Sequence, residues 1–180
     1  MREVADADRI REFMRTLAEA AGATARVYFT GGATAVLIGW RPSTIDVDIK
    51  IVPEHDHLLR AIPRIKEFLQ INIELACPAD FIPVAPGWEN RSPFIASDRR
   101  LFYHHFDFYA QALAKVERGH TQDVADVQEM LRRGLVQSER AWIYFQAIEP
   151  DLYRFPALDP PSFQRAMAEA FGHPPDAPRG

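Results

Sequence analysis

The chain has 180 residues, which is enough for one well-packed core and short for two. Hydrophobic residues make up 47% of it and charged residues 26%, a balance that excludes a disordered chain and is ordinary for a folded, soluble protein. The formal net charge of -4 also argues against a protein that coats nucleic acid through its overall field, so any such contact is expected to be local.

Signals for a compartment are few. The N-terminal residues carry charges from the second position and include no apolar segment of signal-peptide length, and no apolar run reaches the roughly 18 residues of a membrane span. Cys77 is the single cysteine, so no intrachain disulfide is available, and no spacing of cysteine and histidine indicates a zinc site. We therefore expect a cytoplasmic protein without a membrane partner, in which Cys77 is a small buried side chain.

The first elements are a helix, a strand and a glycine pair. Apolar residues recur at spacings of three and four over 6–21, which predicts an amphipathic helix. Residues 25–30 are rich in β-branched and aromatic side chains and predict a buried strand that ends at Gly31 and Gly32. Residues 33–40 are mostly apolar; periodicity alone does not separate a short helix from a buried strand, and the glycine pair favours the helix.

The segment 44–52 alternates strictly between apolar and charged residues, as a strand with one buried face does. One face is expected to carry Ile45, Val47, Ile49 and Ile51, and the other Asp46, Asp48 and Lys50.

The remaining elements predict an α+β fold. Strands are expected at 71–76 and 101–108, and the proline-rich stretch 78–98 indicates a loop or a ragged strand pair. The adjacent His104 and His105 should face opposite sides of their strand and be solvated or packed. Helices are predicted at 57–68 despite Pro63, and at 109–117, 123–133, 138–145 and 162–171, before a proline-rich end.

Asp46 and Asp48 are the most informative pair of residues. Because side chains on a strand alternate with a period of two, both carboxylates point the same way and can hold one or two hard cations such as Mg²⁺. Upstream, Gly31 and Gly32 let the backbone approach a phosphate at the start of a helix. Either feature alone is common, but their order along the chain is not.

These residues resemble the signature of the polymerase-β-like nucleotidyltransferase superfamily. The resemblance lies in Thr30-Gly31-Gly32 followed by Asp46-Val47-Asp48, with Arg41 and Thr44 in the connecting segment. It implies a minimal nucleotidyltransferase fold, a small mixed β-sheet flanked by helices with a C-terminal helical segment. It further implies that the glycine turn, Thr30, Arg41 and Thr44 bind the nucleotide, and that the paired acids bind Mg²⁺ or Mn²⁺.

The superfamily also has a third acid on a neighbouring strand, which helps to activate the attacking hydroxyl. Glu74, in Ile73-Glu74-Leu75, is the candidate for this catalytic and metal-binding position, and Asp80 competes with it. The stretch 78–83 and the ending 155–160 are similar to those of small bacterial nucleotidyltransferase-like proteins.

A second motif narrows the resemblance to the abortive-infection type IV toxins. Lys115 and Arg118, followed by Asp123 and Asp126, resemble the Lys-x-x-Arg and Asp-x-x-Asp helices of that branch. The resemblance implies that Lys115 is catalytic and, with Arg118, binds the nucleotide, while the two acids support these bases or bind metal.

Each of these motifs also has a purely structural interpretation. Asp46 and Asp48 would then line a solvated strand face, and Lys115 would belong to a solvated, charged helix face. Asp123 and Asp126 would be acids near a helix start, where they favour the macrodipole.

The resemblance to nucleotidyltransferases divides the chain into four segments. They are an N-terminal helix (1–22), a nucleotidyltransferase core (23–108), C-terminal helices (109–147) and a proline-rich tail with a short helix (148–180). The expected activity is magnesium-dependent transfer of a nucleotide from a nucleoside triphosphate to a hydroxyl of RNA, protein or a small molecule. The toxin resemblance adds an antitoxin protein as a partner. The alternative is a catalytically degenerate fold that binds nucleotide or a partner protein.

Overall fold

The computed structural model describes residues 2–175 and divides them into two compact units. The first unit contains the residues up to Cys77 together with Ser92–Phe106, and the second contains Pro78–Arg91 and the residues from Asp107 onward. The N-terminal helix therefore belongs with the sheet, and residues 78–91, part of the predicted core segment 23–108, group with the C-terminal helices. The last residues of the predicted proline-rich tail, 176–180, lie outside the described residues.

The first unit is a five-stranded mixed sheet with helices, so the predicted α+β class and mixed sheet are confirmed. The strand order is β3-β2-β1-β5-β4; β1 is antiparallel to β2 and parallel to β5, β2 is parallel to β3, and β4 is antiparallel to β5. Its elements are α1 (Ala7–Glu19), β1 (Ala25–Thr30), α2 (Gly32–Ile38), β2 (Asp46–Val52), α3 (Asp56–Leu69), β3 (Asn72–Leu75), β4 (Phe94–Asp98) and β5 (Leu101–His105).

Helix α1 shows how the apolar pattern builds the core. The side chain of Asp6 accepts a hydrogen bond from the backbone N–H of Arg9 and so caps the first turn. The stripe that contains Phe13 and Leu17 is fully buried in a cluster with residues of α3 and of one face of the sheet. Tyr103 of β5 lies in the same core, and its hydroxyl donates to the carbonyl oxygen of Met14 at 2.6 Å.

Strand β2 confirms the predicted alternation except at its start. Val47 and Ile49 are fully buried, whereas Asp46 and Asp48 on the opposite face are partly exposed. The prediction for Ile45 is wrong: its side chain is 73% exposed. The reason is that β2 begins at Asp46, the residue after Ile45. An isolated bridge between Thr44 and Ala5 precedes it, so Ile45 is not part of the buried row.

The second unit is helical within the described residues. Its α-helices are α4 (Phe108–Arg118), α5 (Thr121–Arg132), α6 (Ser138–Ile148) and α7 (Pro160–Phe171), with 3₁₀ turns at Pro78–Asp80 and Glu149–Arg154. Aromatic contacts join α6 to α7: the ring of Phe145 meets that of Phe163 edge to face at 5.1 Å between centroids. Trp142 adds a hydrogen bond from its indole nitrogen to the carbonyl oxygen of Gly172.

The segment 78–91 is fastened to these helices by Arg91. Its guanidinium donates from Nε to Asp107 at 2.8 Å and to the carbonyl oxygens of Ala85 and Pro86. The same group lies 5.4 Å from the centroid of the Tyr144 ring. Asp107 is fully buried, and that burial raises the pKa of its carboxyl despite the hydrogen bond and charge of Arg91.

Strand β4, Phe94–Asp98, is the part of 78–98 that forms regular structure on the sheet. Cys77 is buried, as predicted. No helix among residues 2–175 is both long enough and apolar enough to cross a membrane.

Candidate active site

The strand register brings the three predicted acids to one face of the sheet. Parallel pairing of β2 with β3 sets Asp48 opposite Glu74 and Asp46 opposite Asn72. Residues directly opposite each other on neighbouring strands share a face, so all three carboxylates lie on the face away from the buried row of β2. On the other side of β2, Thr30 of β1 is the partner of Asp48.

Asn72 ties two of these acids together. Its Nδ2 donates to Oδ1 of Asp46 at 2.6 Å and to Oε1 of Glu74 at 2.8 Å. Its Oδ1 accepts from Nη1 of Arg2 at 2.5 Å. The carboxylates of Asp46 and Glu74 are therefore each one hydrogen bond away from the same amide nitrogen.

Gly31 forms the turn between β1 and α2. Its backbone has φ +62° and ψ -132°, a conformation that favours glycine over residues with a Cβ. A Cβ on Gly31 would lie 3.2 Å from Oδ2 of Asp48, so the carboxylate of Asp48 closely approaches the turn. The predicted phosphate-binding turn and the predicted metal ligand are thus neighbours.

Gly32 lies beside two of the predicted nucleotide-binding side chains, those of Thr44 and Arg41. A Cβ there would lie 2.0 Å from Oγ1 of Thr44 and 3.2 Å from Nη1 of Arg41. Thr44 is fixed by backbone hydrogen bonds with Ala5 in both directions, and its hydroxyl donates to the carbonyl oxygen of Asp46. The connection between α2 and β2 therefore packs directly against the glycine turn.

Replacing Gly32 with alanine should destabilise the first unit. The new methyl would overlap the side chain of Thr44, including its Cβ at 2.7 Å, and that side chain is held by the Ala5 bridge. Overpacking of this kind costs about 1–3 kcal/mol, which chemical unfolding followed by circular dichroism would measure.

Gly22→Ala is the control for this substitution and should cost less. Neither Gly22 nor Gly32 has a positive φ, and a Cβ on Gly22 would come no closer than 3.3 Å to the exposed side chain of His57. In the Gly32→Ala/Thr44→Gly double variant, the loss should be smaller than the two single losses added together. Simple additivity would show that Thr44 is not the obstacle.

The donor set suits a hard divalent cation, because Asp46, Asp48 and Glu74 all offer carboxylate oxygens and Mg²⁺ prefers oxygen ligands. As the side chains stand, no three His, Cys, Asp or Glu residues within 2–175 are gathered into a metal-binding group. Asp46 and Glu74 are drawn together by Asn72, and Asp48 faces Gly31. Asp80, the competing third acid, is on no strand and lies in a 3₁₀ turn of the second unit.

Thr34 and His105, a buried pair that the sequence did not indicate as part of the site, stabilise the glycine turn. The hydroxyl of Thr34, in the first turn of α2, donates to the carbonyl oxygen of Phe29 at 3.2 Å and lies 3.0 Å from Nδ1 of His105. The hydroxyl has one proton, so we assign the hydrogen of this second bond to Nδ1. Phe29 precedes the turn and Thr34 follows it, so the hydrogen bond from Thr34 to the carbonyl oxygen of Phe29 closes the loop around Gly31.

The four residues of the toxin-like motif form an ion cluster between α4 and α5 of the second unit, in which Arg118 alone is exposed. Nζ of Lys115 lies 2.7 Å from Oδ2 of Asp126 and 3.7 Å from Oδ1 of Asp123. Arg118 binds Asp123 through two nitrogens, at 2.8 and 2.7 Å. Gln122 donates to Oδ1 of Asp126 at 3.1 Å. The interpretation of Lys115 as part of a solvated helix face is therefore wrong, since Lys115 is buried together with Asp123 and Asp126. Asp123 lies in the first turn of α5, as its structural interpretation expects.

The charges of this cluster compensate one another. Burial alone would raise the pKa of Asp123, but the hydrogen bond from Arg118 and the charges of Lys115 and Arg118 outweigh it and lower that pKa. These contacts fit the supporting role implied for Asp123 and Asp126. The prediction that Lys115 and Arg118 bind a nucleotide stays a prediction, because their contacts described here are internal to the second unit.

Comparison with known proteins adds no relative: no family model, curated protein or solved structure matches this chain. Inference of function therefore depends on the residues themselves. The relevant ones are the carboxylates of β2 and β3 and the glycine turn beside them.

Proposed function

We propose that the first unit is a minimal nucleotidyltransferase fold, and that the protein transfers a nucleotide from a nucleoside triphosphate to an acceptor hydroxyl of RNA, protein or a small molecule. The observation that carries the proposal is the approach of Asp48 to the Gly31 turn, with Oδ2 3.2 Å from the position of a Gly31 Cβ. A phosphate bound at the turn would lie beside the residues that bind its counter-ion.

Each residue has a role in this proposal. The Gly31 turn would let the triphosphate approach the backbone, and Gly32 leaves room for Thr44 and Arg41 to pack beside that turn. The guanidinium of Arg41 would supply a positive charge to the triphosphate. Asp46, Asp48 and Glu74 would hold Mg²⁺ or Mn²⁺, which neutralises charge that develops on the phosphoryl oxygens. The protein's own contribution is mainly to position donor and acceptor.

The toxin-like motif supports a more specific context. Lys115, Arg118, Asp123 and Asp126 occur in the order of the abortive-infection type IV branch, and all four interact in one cluster. We propose accordingly that the protein is the toxin of a toxin–antitoxin pair and acts in the cytoplasm.

A second candidate function is nucleotide or partner-protein binding without turnover. Two observations favour it. Within residues 2–175 no three potential ligands lie close enough together to form a metal-binding group, and Glu74 is exposed on the edge strand β3. A degenerate site of this kind would keep the glycine turn and lose the chemistry.

The proposal is tested by calorimetric titration with each of ATP, GTP, CTP and UTP, with and without Mg²⁺. Binding that depends on Mg²⁺ is expected for the wild type and should be lost in the Asp46→Asn/Asp48→Asn double variant. The matched control is Asp8→Asn/Asp56→Asn, which changes the charge equally at two exposed acids of α1 and α3 and should bind like the wild type.

Pyrophosphate release decides between the two candidate functions. Release in the presence of RNA, protein or small-molecule acceptors, abolished by the site double variant, supports the transferase. Mg²⁺-dependent binding with no release over the whole acceptor screen would favour the binding protein. Equal nucleotide binding by the site and control double variants would show that Asp46 and Asp48 do not take part in nucleotide binding, and would refute their role in both candidate functions.

A further inference from the structure

We infer that Asn72 is a positioning residue, which holds the carboxylates of Glu74 and Asp46 next to each other before a cation binds. The inference rests on the proposed function, because it concerns the same carboxylates. Asn72 occupies the position on β3 that is paired with Asp46, two residues before Glu74 and on the same face.

The three contacts of the Asn72 side chain fix its orientation. A guanidinium only donates hydrogen bonds and an ionised carboxylate only accepts them. The amide oxygen must therefore face Arg2 and the amide nitrogen must face Asp46 and Glu74, as the distances of 2.5, 2.6 and 2.8 Å place them. The reversed amide would set donor against donor and acceptor against acceptor.

Glu74 needs such a partner more than the other acids do. Strand β3 has four residues and lies at the edge of the sheet, and the Glu74 side chain is exposed with three rotatable bonds. Two carboxylates also repel each other when they share a site. The two N–H groups of one amide offset that repulsion and restrict the Glu74 rotamer, so less conformational freedom is lost when a cation binds.

The backbone around Asn72 supports its role by anchoring Arg2. The N–H of Glu3 donates to the carbonyl oxygen of Gln70 at 2.7 Å, and Ala5 bridges to Thr44. The N-terminal segment is thus attached two residues before the start of each strand that carries the acids. Arg2 reaches Asn72 from this attached segment, which keeps the amide nitrogen turned toward the carboxylates.

The test is titration with Mn²⁺ alone, followed by water-proton relaxation, on the full chain. Removing the amide in Asn72→Leu should weaken the affinity for Mn²⁺ about 10- to 100-fold, as loss of a partner that orients metal ligands does. Asn72→Gln keeps an amide and should recover part of the affinity. Asn90→Leu replaces the exposed asparagine of the second unit and should leave Mn²⁺ affinity unchanged.

The outcomes separate this inference from the proposed function. Mn²⁺ affinity within twofold of the wild type in Asn72→Leu, with affinity lost in Asp46→Asn/Asp48→Asn, would overturn the role of Asn72 and leave the metal site standing. No Mn²⁺ binding by the wild type, or equal binding by the aspartate double variant, would overturn the proposed metal site and this inference with it. Should Asn72→Leu fail to fold, Asn72→Ala takes its place with the same expectation. Unfolding midpoints near the wild-type value, with affinity reduced, would show that Asn72 acts on the acids and not on the fold.

Discussion

Lys115→Met should be the most destabilising single substitution in the ion cluster of the second unit. It removes the ammonium 2.7 Å from Asp126, a carboxylate with no exposed surface, while retaining most of the side-chain volume. Breaking a buried pair by removing one partner costs about 3–5 kcal/mol, because the remaining charge stays buried without its nearest counter-charge. Urea unfolding monitored by circular dichroism would measure the loss.

Two further variants control this expectation. Arg118→Met removes the other cation of the cluster, but its side chain is 59% exposed, so solvent screening should limit the loss to about 1 kcal/mol. Lys115→Met/Asp126→Leu removes both charges of the tight pair and should be more stable than Lys115→Met alone. Similar losses for Lys115→Met and Arg118→Met would contradict burial as the cause.

The cluster also affects how activity data on Lys115 are interpreted. A variant that loses several kcal/mol of stability also loses activity through unfolding, whether or not Lys115 contacts a nucleotide. The Lys115→Met/Asp126→Leu variant, which removes both charges of the pair, separates loss of activity by unfolding from loss of a catalytic contact. If it folds and still transfers nucleotides, Lys115 is a structural residue; if it folds and is inactive, the catalytic prediction gains support.

Local patterns were sufficient to predict the centre of the site. Alternation along 44–52 placed Asp46 and Asp48 on one face, because the period of two is a property of the strand alone. The choice between Glu74 and Asp80 could not be made this way. It depends on which residue pairs with β2, and that register is set by long-range contacts in the core.

The residues that support the site were missed because their partners are distant in sequence. Arg2 and Asn72 are 70 positions apart, and Thr34 and His105 are 71 apart. No short motif records such pairs. The burial of Lys115 was missed for a related reason: its acceptor Asp126 lies on the next helix, so helical spacing within α4 indicated a charged surface instead.

Acidification should weaken the first unit through His105. Burial lowers the pKa of this imidazole to about 4 from its ordinary value of 6.5, and the side chain is 8% exposed. Between these pH values the unfolded chain binds a proton and the folded chain does not, so stability falls as the pH is lowered from 6.5 to 4. The stability present above pH 6.5 should decline by up to about 3 kcal/mol over this window.

The contribution of His105 is isolated by comparing the wild type with His105→Asn. The amide of asparagine can place a donor near the Nδ1 position and so keep the bond to Thr34, yet it does not titrate. The free energy of unfolding, measured at several pH values from 4 to 7, should therefore decline less steeply in the variant. Other acids titrate in the same range, and their effects cancel in the difference between the two proteins. Parallel curves would mean that His105 accepts a proton in the folded protein as readily as in the unfolded chain, and would contradict a pKa lowered by burial.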